Sequence, residues 1–290
     1  MTAAEIARAL RGRRYGQWWR CRCPVHGGKQ QSLALQDGDY ALIVKCWADC
    51  ERDDVLTELE RLGLFDGTFQ PRPQPVDKGE AEERRQRSIT QARDIWERAR
   101  EGRDSPIERW FQTRGIDLPV PLTLRWVRSC WHPSKASWPA MVARVDNVDG
   151  EFIGIRRTYL LSDGSAKAPV DPERASLGPV AGGAVRLAPL AGAHLLVGEG
   201  IETCLSAMEA AELPVWAAGD TSALKNLVLP AAVRLVTILA DNDADIRRGP
   251  AAARTAAQRW LKEGRKVRIA WPRSGKDFND IAMGASHAAQ

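Results

Sequence analysis

The sequence predicts an α/β protein: a mostly parallel sheet flanked by helices in the last third, an α+β middle region, and a small Cys/His-rich N-terminal domain. Three observations carry this prediction. From residue 193 onward apolar runs alternate with helical stretches, the mark of a parallel sheet. Residues 139–164 instead alternate apolar and polar residues with period two, broken at Asp149-Gly150 and Asp163-Gly164, as antiparallel strands do. Four of the six cysteines, Cys21, Cys23, Cys46 and Cys50, fall within thirty residues of one another, while Cys130 and Cys204 stand apart.

Residues 1–67 read as one domain: a short helix, a Cys/His stretch, strands around SLALQ and YALIVKC, and a helix near Asp53–Leu62 stopped by Gly63. Cys23-Pro24-Val25-His26 is followed after nineteen residues by Cys46-Trp47-Ala48-Asp49-Cys50. Two close pairs separated by a hairpin are the layout of a tetrahedral Cys3His zinc site, so Cys23, His26, Cys46 and Cys50 are the expected ligands of a structural Zn²⁺. Cys21 is the alternative to Cys23, which is preferred because it opens the CPVH turn. Trp18 and Trp19 adjoin Arg20 and Arg22, so aromatic faces and cations lie together as in single-strand binders. One of the two tryptophans is expected on the metal core, the other partly exposed.

Residues 68–89 carry Pro71, Pro73 and Pro75 and then dense mixed charge, the composition of a linker leading into a solvated helix. The α+β region spans 90–190, beginning helically at QARDIWERAR. In it Arg156, Arg157 and Lys167 are candidate cations for nucleotide phosphates or template, the alternative being a solvated hairpin face.

The α/β domain covers 191–290. HLLVGEG is a strand, a helix follows from Thr203, and PVWAAG, VRLVTILADND and KVRIAWP are further strands, with a helix from Pro250 to Gly264 before the last. The acids sit at strand ends: Glu199, then Asp241 and Asp243, then Asp277 with Asp280. In parallel sheets chemistry lies beyond the carboxyl ends of the strands. Carboxylates gathered there repel one another and call for a hard divalent cation, Mg²⁺ or Mn²⁺, which suits phosphodiester chemistry. Lys276 beside Asp277 is a phosphate candidate; Asp220 and Asp245 are secondary, better read as surface-loop acids.

Composition narrows the partners. The 42 Lys+Arg against 37 Asp+Glu give a net charge of +5, and residues 1–30 hold seven basic side chains against one acid, Glu5. Positive charge beside the cysteines fits a polyanion partner. The N-terminus lacks the apolar core of a secretory signal and no apolar run reaches the roughly 18 residues of a membrane span, so a cytoplasmic protein with no membrane partner is expected. No GxxxxGK[ST] motif is present.

CPVHGGKQQSL, with the second cysteine pair, resembles the zinc-binding domain of bacterial and phage DNA primases over residues 16–62, with CxxxC at the second pair and Gly27-Gly28-Lys29-Gln30-Gln31 where Lys-Thr-Pro is usual. Glu199, Asp241 and Asp243 in their strand context resemble the glutamate and Asp-x-Asp pair of Toprim domains, and Asp277 an acid of the later primase motif. Where that family often has an Asp four residues after the glutamate, this chain has Thr203, preceded by Glu202. RTYLLSDGSAKA, LGPVAGGAVRLAP, EGIET and DFND resemble the Toprim primase-like proteins of phages and mobile elements. The resemblance implies a DNA primase making short primers by nucleotidyl transfer, with a zinc-ribbon-like domain, Glu199, Asp241 and Asp243 as catalytic metal ligands, single-stranded DNA and nucleoside triphosphates as partners, and a separate helicase. A Toprim nuclease and a non-catalytic DNA-binding protein like the recombination mediators are the alternatives.

Overall fold

The chain begins with a reciprocal helix cap. The Thr2 hydroxyl accepts from the Glu5 N–H at 3.3 Å while the Glu5 carboxylate accepts from the Thr2 N–H at 2.7 Å, fixing the start of α1 (Ala3–Ala9). Strands β1 (Arg13–Tyr15), β2 (Trp18–Cys21), β3 (Leu33–Asp37) and β4 (Leu42–Cys46) form an antiparallel sheet in that order, and α2 (Arg52–Arg61) closes the unit. Strand pleating sorts the side chains: Leu42, Val44 and Cys46 are buried, Ile43 and Lys45 exposed. The buried face packs with Ile6 and Ala7 of α1 and Val55 and Leu59 of α2 around Leu33 and Leu35.

The computed structural model describes residues 1–27, 30–38, 41–48, 50–66, 78–242 and 249–288. The chain divides into two units, Met1–Asp77 and Lys78–Gln290.

The second unit opens with α3 (Lys78–Arg98), which begins inside the stretch expected to be linker up to residue 89. The acidic and basic residues there are strong helix formers spaced to pair along one helix, as Arg87 does with Glu83 at 2.8 Å. Residues 67–77, with the three prolines, lie outside the described residues. Next come β5 (Arg100–Glu101), α4 (Pro106–Gln112), β6 (Leu124–Trp131), β7 (Ser137–Asp146), β8 (Phe152–Tyr159) and β9 (Arg174–Leu177), the strands forming an antiparallel sheet β5-β6-β7-β8-β9. Gly150 and Gly164 hold the positive φ that the two sequence-marked turns require.

A second sheet follows: β10 (Val185–Arg186), β11 (His194–Gly198), α5 (Ile201–Ala211), β12 (Val215–Ala217), α6 (Thr221–Asn226), β13 (Leu235–Leu239), α7 (Gly249–Lys262), β14 (Lys266–Ala270) and α8 (Phe278–Ala288). Its order is β10-β12-β11-β13-β14, with β11 to β14 parallel and only β10 antiparallel. One face is covered by α6 and α7 through Leu224, Ala253, Ala256 and Trp260.

The two sheets of this unit share a core. Ile95 and Trp96 of α3 cover one face of the antiparallel sheet. Its other face, with Met141, Ala143 and Val145, packs with Trp110 and Phe111 of α4 and with Leu196, Ile201, Leu205 and Leu239 of the α/β region. Residues 90–190 and 191–290 are therefore joined by apolar packing, which fixes the geometry of any site between them.

Candidate active site and metal centre

In the first unit Cys23, His26, Cys46 and Cys50 converge, their ligand atoms all lying within 4.8 Å of one another. Cys23-Pro24-Val25-His26 folds as a tight turn closed by the Gly27 N–H donating to the Cys23 carbonyl at 3.2 Å. The second pair follows β4, where the Ala48 N–H donates to Cys46 Sγ at 3.4 Å. Zinc–sulfur bonds of about 2.3 Å in a tetrahedron put sulfurs about 3.8 Å apart. Cys23 Sγ and Cys50 Sγ are 3.8 Å apart, Cys46 Sγ and His26 Nδ1 3.8 Å, and His26 Nδ1 and Cys50 Sγ 3.0 Å. Ser32 Oγ lies 3.0 Å from His26 Nε2 and orients the ring from behind. Three sulfurs and one imidazole nitrogen at these separations fit Zn²⁺. Cys21 is outside the four; burial, then the neighbouring Cys23 and Cys46, pushes its thiol up to about 12.

The exposed face of the same sheet is aromatic and cationic. Arg20 lies over Trp47 at 5.2 Å and Tyr15 at 5.9 Å, and Lys45 Nζ is 4.1 Å from the Trp47 ring centre. Trp47 and Tyr15 are half or more exposed, Trp18 is partly exposed and Arg22 exposed, whereas Trp19 packs on the core that contains Cys21, Cys23 and Cys46.

In the second unit, Glu199, Asp241 and Asp277 line one cleft of about 280 Å³, together with Glu202, Thr203, Asp220, Arg114 and Arg174. The parallel sheet explains the meeting: β11 and β13 are neighbours, and Glu199 and Asp241 follow within two residues of their carboxyl ends. Asp277 also caps α8, one carboxylate oxygen accepting from the N–H groups of Asn279 at 2.8 Å and Asp280 at 2.9 Å. Asp243 and Asp245 lie outside the described residues. Among the described residues the Cys/His four is the one group of three or more donors that converges to metal distance. The carboxylates are set more openly, which fits Mg²⁺, an ion held by one or two carboxylates with water and phosphate oxygens completing its shell.

The candidate cations divide. Arg156 and Arg174 line an adjoining cavity of about 300 Å³ that shares Glu199, Gly200, Glu202, Gly219 and Asp220 with the carboxylate cleft. Arg156 Nη1 donates to Asp220 Oδ2 at 3.0 Å. Arg157 borders the same cavity, but its guanidinium is spent on the main-chain carbonyls of Trp131 at 2.9 Å and Ser176 at 3.2 Å. Lys167 donates to Glu173 at 2.6 Å. Lys276 is exposed and does not border the cleft; its N–H donates to Asp280 at 2.8 Å.

Sequence reasoning passed over Arg114, Arg174 and the role of Glu202. Glu202 is 3% exposed; its Oε1 accepts from Trp110 Nε1 at 3.3 Å and its Oε2 from Arg174 Nη2 at 3.2 Å. Burial opposes its charge most strongly, yet Arg174, its own N–H, Arg114 and Lys167 together outweigh burial and hold the carboxyl below its usual range. The available signal was a carboxylate in the first turn of α5, on the buried stretch Ile201–Ala207. A second feature was also missed: a groove of about 1190 Å³ lined by Arg98, Arg100, Arg103, Arg128, Trp126 and Trp131 among others. A bulge between Val127 and Cys130 turns Arg128 and Ser129 outward together. These arginines make no ion pair among the described residues, and Trp131 is 55% exposed.

The sequence profile of the Toprim domain matches residues 194–288, and that of a domain of unknown function, DUF7146, matches residues 86–187. No curated protein matches the chain. Among solved structures, the zinc-binding and RNA polymerase domains of the Aquifex aeolicus primase align over 98% of this chain and 81% of that one, at 14% identity and a TM-score of 0.43. The DnaG primase catalytic domain bound to ssDNA aligns over 72% and 78%, at 13% identity and 0.48, and the primase fragment of the bacteriophage T7 primase-helicase protein over 62% and 66%, at 17% and 0.42. The parallel strands β11 to β14 lie within residues 194–288, the part of the chain that matches the Toprim domain profile.

Proposed function

We propose that the chain is a DNA primase, joining nucleotides into short primers on single-stranded DNA. The observation that carries this reading is the cleft in which Glu199, Asp241 and Asp277 face Arg114 and Arg174. Carboxylates there hold Mg²⁺ or Mn²⁺, with Asp243 as a further ligand, and the arginines take phosphate oxygens. The bound ion would lower the pKa of the attacking hydroxyl and offset charge on the leaving diphosphate. The chain's own part is to keep the nucleotide's phosphates in line with that hydroxyl through Arg174 and, at the adjoining cavity, Arg156.

The template fits the arginine groove and the aromatic face of the zinc unit, since exposed tryptophans offer base stacking and unpaired arginines offer phosphate contacts that carry no sequence preference. Cys23, His26, Cys46 and Cys50 hold the structural Zn²⁺. Unwinding falls to a separate helicase, and the cytoplasm is the place of action; no helix of the described residues is long and apolar enough to cross a membrane.

The test is incubation of the full chain with single-stranded templates, labelled nucleotides and Mg²⁺. Primer synthesis is expected. Glu199→Gln and Asp241→Asn should each reduce it on the order of 100-fold, with circular dichroism and template affinity unchanged. Cleavage of the template in place of synthesis would make the chain a Toprim nuclease, and binding with neither reaction would make it a mediator-like DNA-binding protein.

A further inference from the structure

We infer that Glu202 is a positioning residue: it holds the Arg174 guanidinium at the mouth of the carboxylate cleft, where that guanidinium receives the phosphates of a nucleoside triphosphate. This rests on the proposed nucleotidyl transfer and adds a role that sequence position would have assigned otherwise, because Glu202 stands beside the site where a further metal-binding acid was looked for.

The geometry argues against metal ligation. Glu202 lies in the first turn of α5 and borders the cleft, but each of its two oxygens already accepts from a partner on another element: Oε1 from the indole N–H of Trp110 on α4, Oε2 from Arg174 on β9. An oxygen already accepting from a fixed N–H is a poor ligand for an ion that must also be shared with substrate. Arg174 shows the complementary asymmetry. Its side chain is 47% exposed, it borders both the carboxylate cleft and the adjoining cavity, and one terminal nitrogen is held by Glu202. A guanidinium fixed at one nitrogen presents its remaining donors as a planar fork, the shape that matches phosphate oxygens.

A purely structural role explains the pair poorly. A half-exposed arginine contributes little to stability, whereas desolvating a carboxylate is costly, so the pair is a weak way to fix the fold and an effective way to fix a cation. Trp110 supplies the rigidity, being 4% exposed in the core shared by the two sheets. By contrast Lys167 is engaged by Glu173 and borders neither cavity.

The experiment measures equilibrium binding of a fluorescent ATP analogue and of Mn²⁺ alone to the full chain, alongside KM and kcat for nucleotide. Glu202→Gln, which keeps an acceptor for Trp110, is expected to raise the nucleotide Kd and KM about tenfold, as loss of a charge-assisted bond does, and to leave Mn²⁺ affinity unchanged. In kcat the change should stay within about threefold, since the contact is made in ground and transition states alike. Arg174→Ala should weaken nucleotide binding to the same degree, with no further loss when Glu202→Gln is added; Arg174→Lys, with charge but no fork, should recover part of it. Wild-type nucleotide affinity in either Glu202→Gln or Arg174→Ala overturns the inference, and so does a fall in Mn²⁺ affinity in Glu202→Gln, which would make Glu202 a metal ligand. Should Glu202→Gln fail to fold, the exposed Arg174→Ala change decides the matter by itself. A wild-type chain that binds nucleotide without making primers refutes the primase reading alone; one that binds no nucleotide refutes both.

Discussion

Arg157 donates to two main-chain carbonyls, those of Trp131 on β6 and Ser176 on β9, from a position 4% exposed on β8. Removing the guanidinium takes one donor from each carbonyl, Trp131 keeping the Tyr159 hydroxyl at 2.9 Å, and opens a cavity, so Arg157→Ala should lower stability by about 2–4 kcal/mol in chemical denaturation. Arg156, its neighbour, points to the opposite side of the sheet, toward Asp220 and the cavity. Arg156→Ala removes a side chain only 13% exposed but paired with the half-exposed Asp220, and should cost less, about 1 kcal/mol. Equal midpoints for the two variants would refute this division. The sequence groups Arg156, Arg157 and Lys167 as candidate cations of one kind, although period-two pleating allows only one of the adjacent Arg156 and Arg157 to face a given side. Glu202 escaped for a different reason: its partners Trp110 and Arg174 are 92 and 28 residues away, and no local pattern records which distant side chain meets which.

Elements were legible where a single period governed them. The α/β alternation was read as β11, β12, β13 and β14 with α5 and α7 between, and Gly63 and Gly264 end their helices at positive φ as expected. The β1–β2 hairpin was not read, because RRYGQWWRC has no alternation of apolar and polar residues; β1 is held by pairing to β2, β2 in turn to β3, with cation–aromatic contacts beside them. The short connection from β12 to α6 was equally silent, yet it shapes the site. Gly219 there has φ +103, and a Cβ at that position would stand 2.1 Å from Arg156 Cζ. The Arg156 guanidinium, tied to Asp220 and Ser176, can lie across this residue only because it has no side chain. Gly219→Ala therefore combines backbone strain with displacement of Arg156, and should lower stability by about 1–3 kcal/mol while weakening nucleotide binding. Arg156→Ala in that background should restore part of the stability, by removing the clash and leaving only the strain. Additive losses in the double variant would show that the contact is not the cause.

At the scale of the whole molecule, the two units are held together by different physics. Among the described residues Lys78–Gln290 has three apolar clusters, two of them dominated by large side chains such as Trp96, Trp110, Tyr159, Phe111 and Leu205, and these suffice for a domain of that length. Met1–Asp77 has, among its described residues, one small cluster, built from Ile6, Leu33, Leu35, Leu42, Val55 and Leu59, with the Cys/His four at its edge. A core of that size leaves little net stability, and a structural metal commonly makes up the difference, with binding free energy appearing as folding free energy. The sequence singled out the Cys/His four from spacing, because tight turns dictate spacing; how far the unit would depend on a metal there follows only once the size of the core is known. Elemental analysis should find one zinc per chain, retained in Cys21→Ser and lost in Cys46→Ser. Calorimetry of the full chain should then show two transitions. Chelation should abolish the one belonging to the first unit and leave the other unmoved, and circular dichroism should lose only the signal of the small antiparallel sheet and its two helices. A single transition that shifts as a whole on chelation would mean that the units fold as one body, and an unchanged thermogram would mean that the Cys/His four contributes nothing to folding.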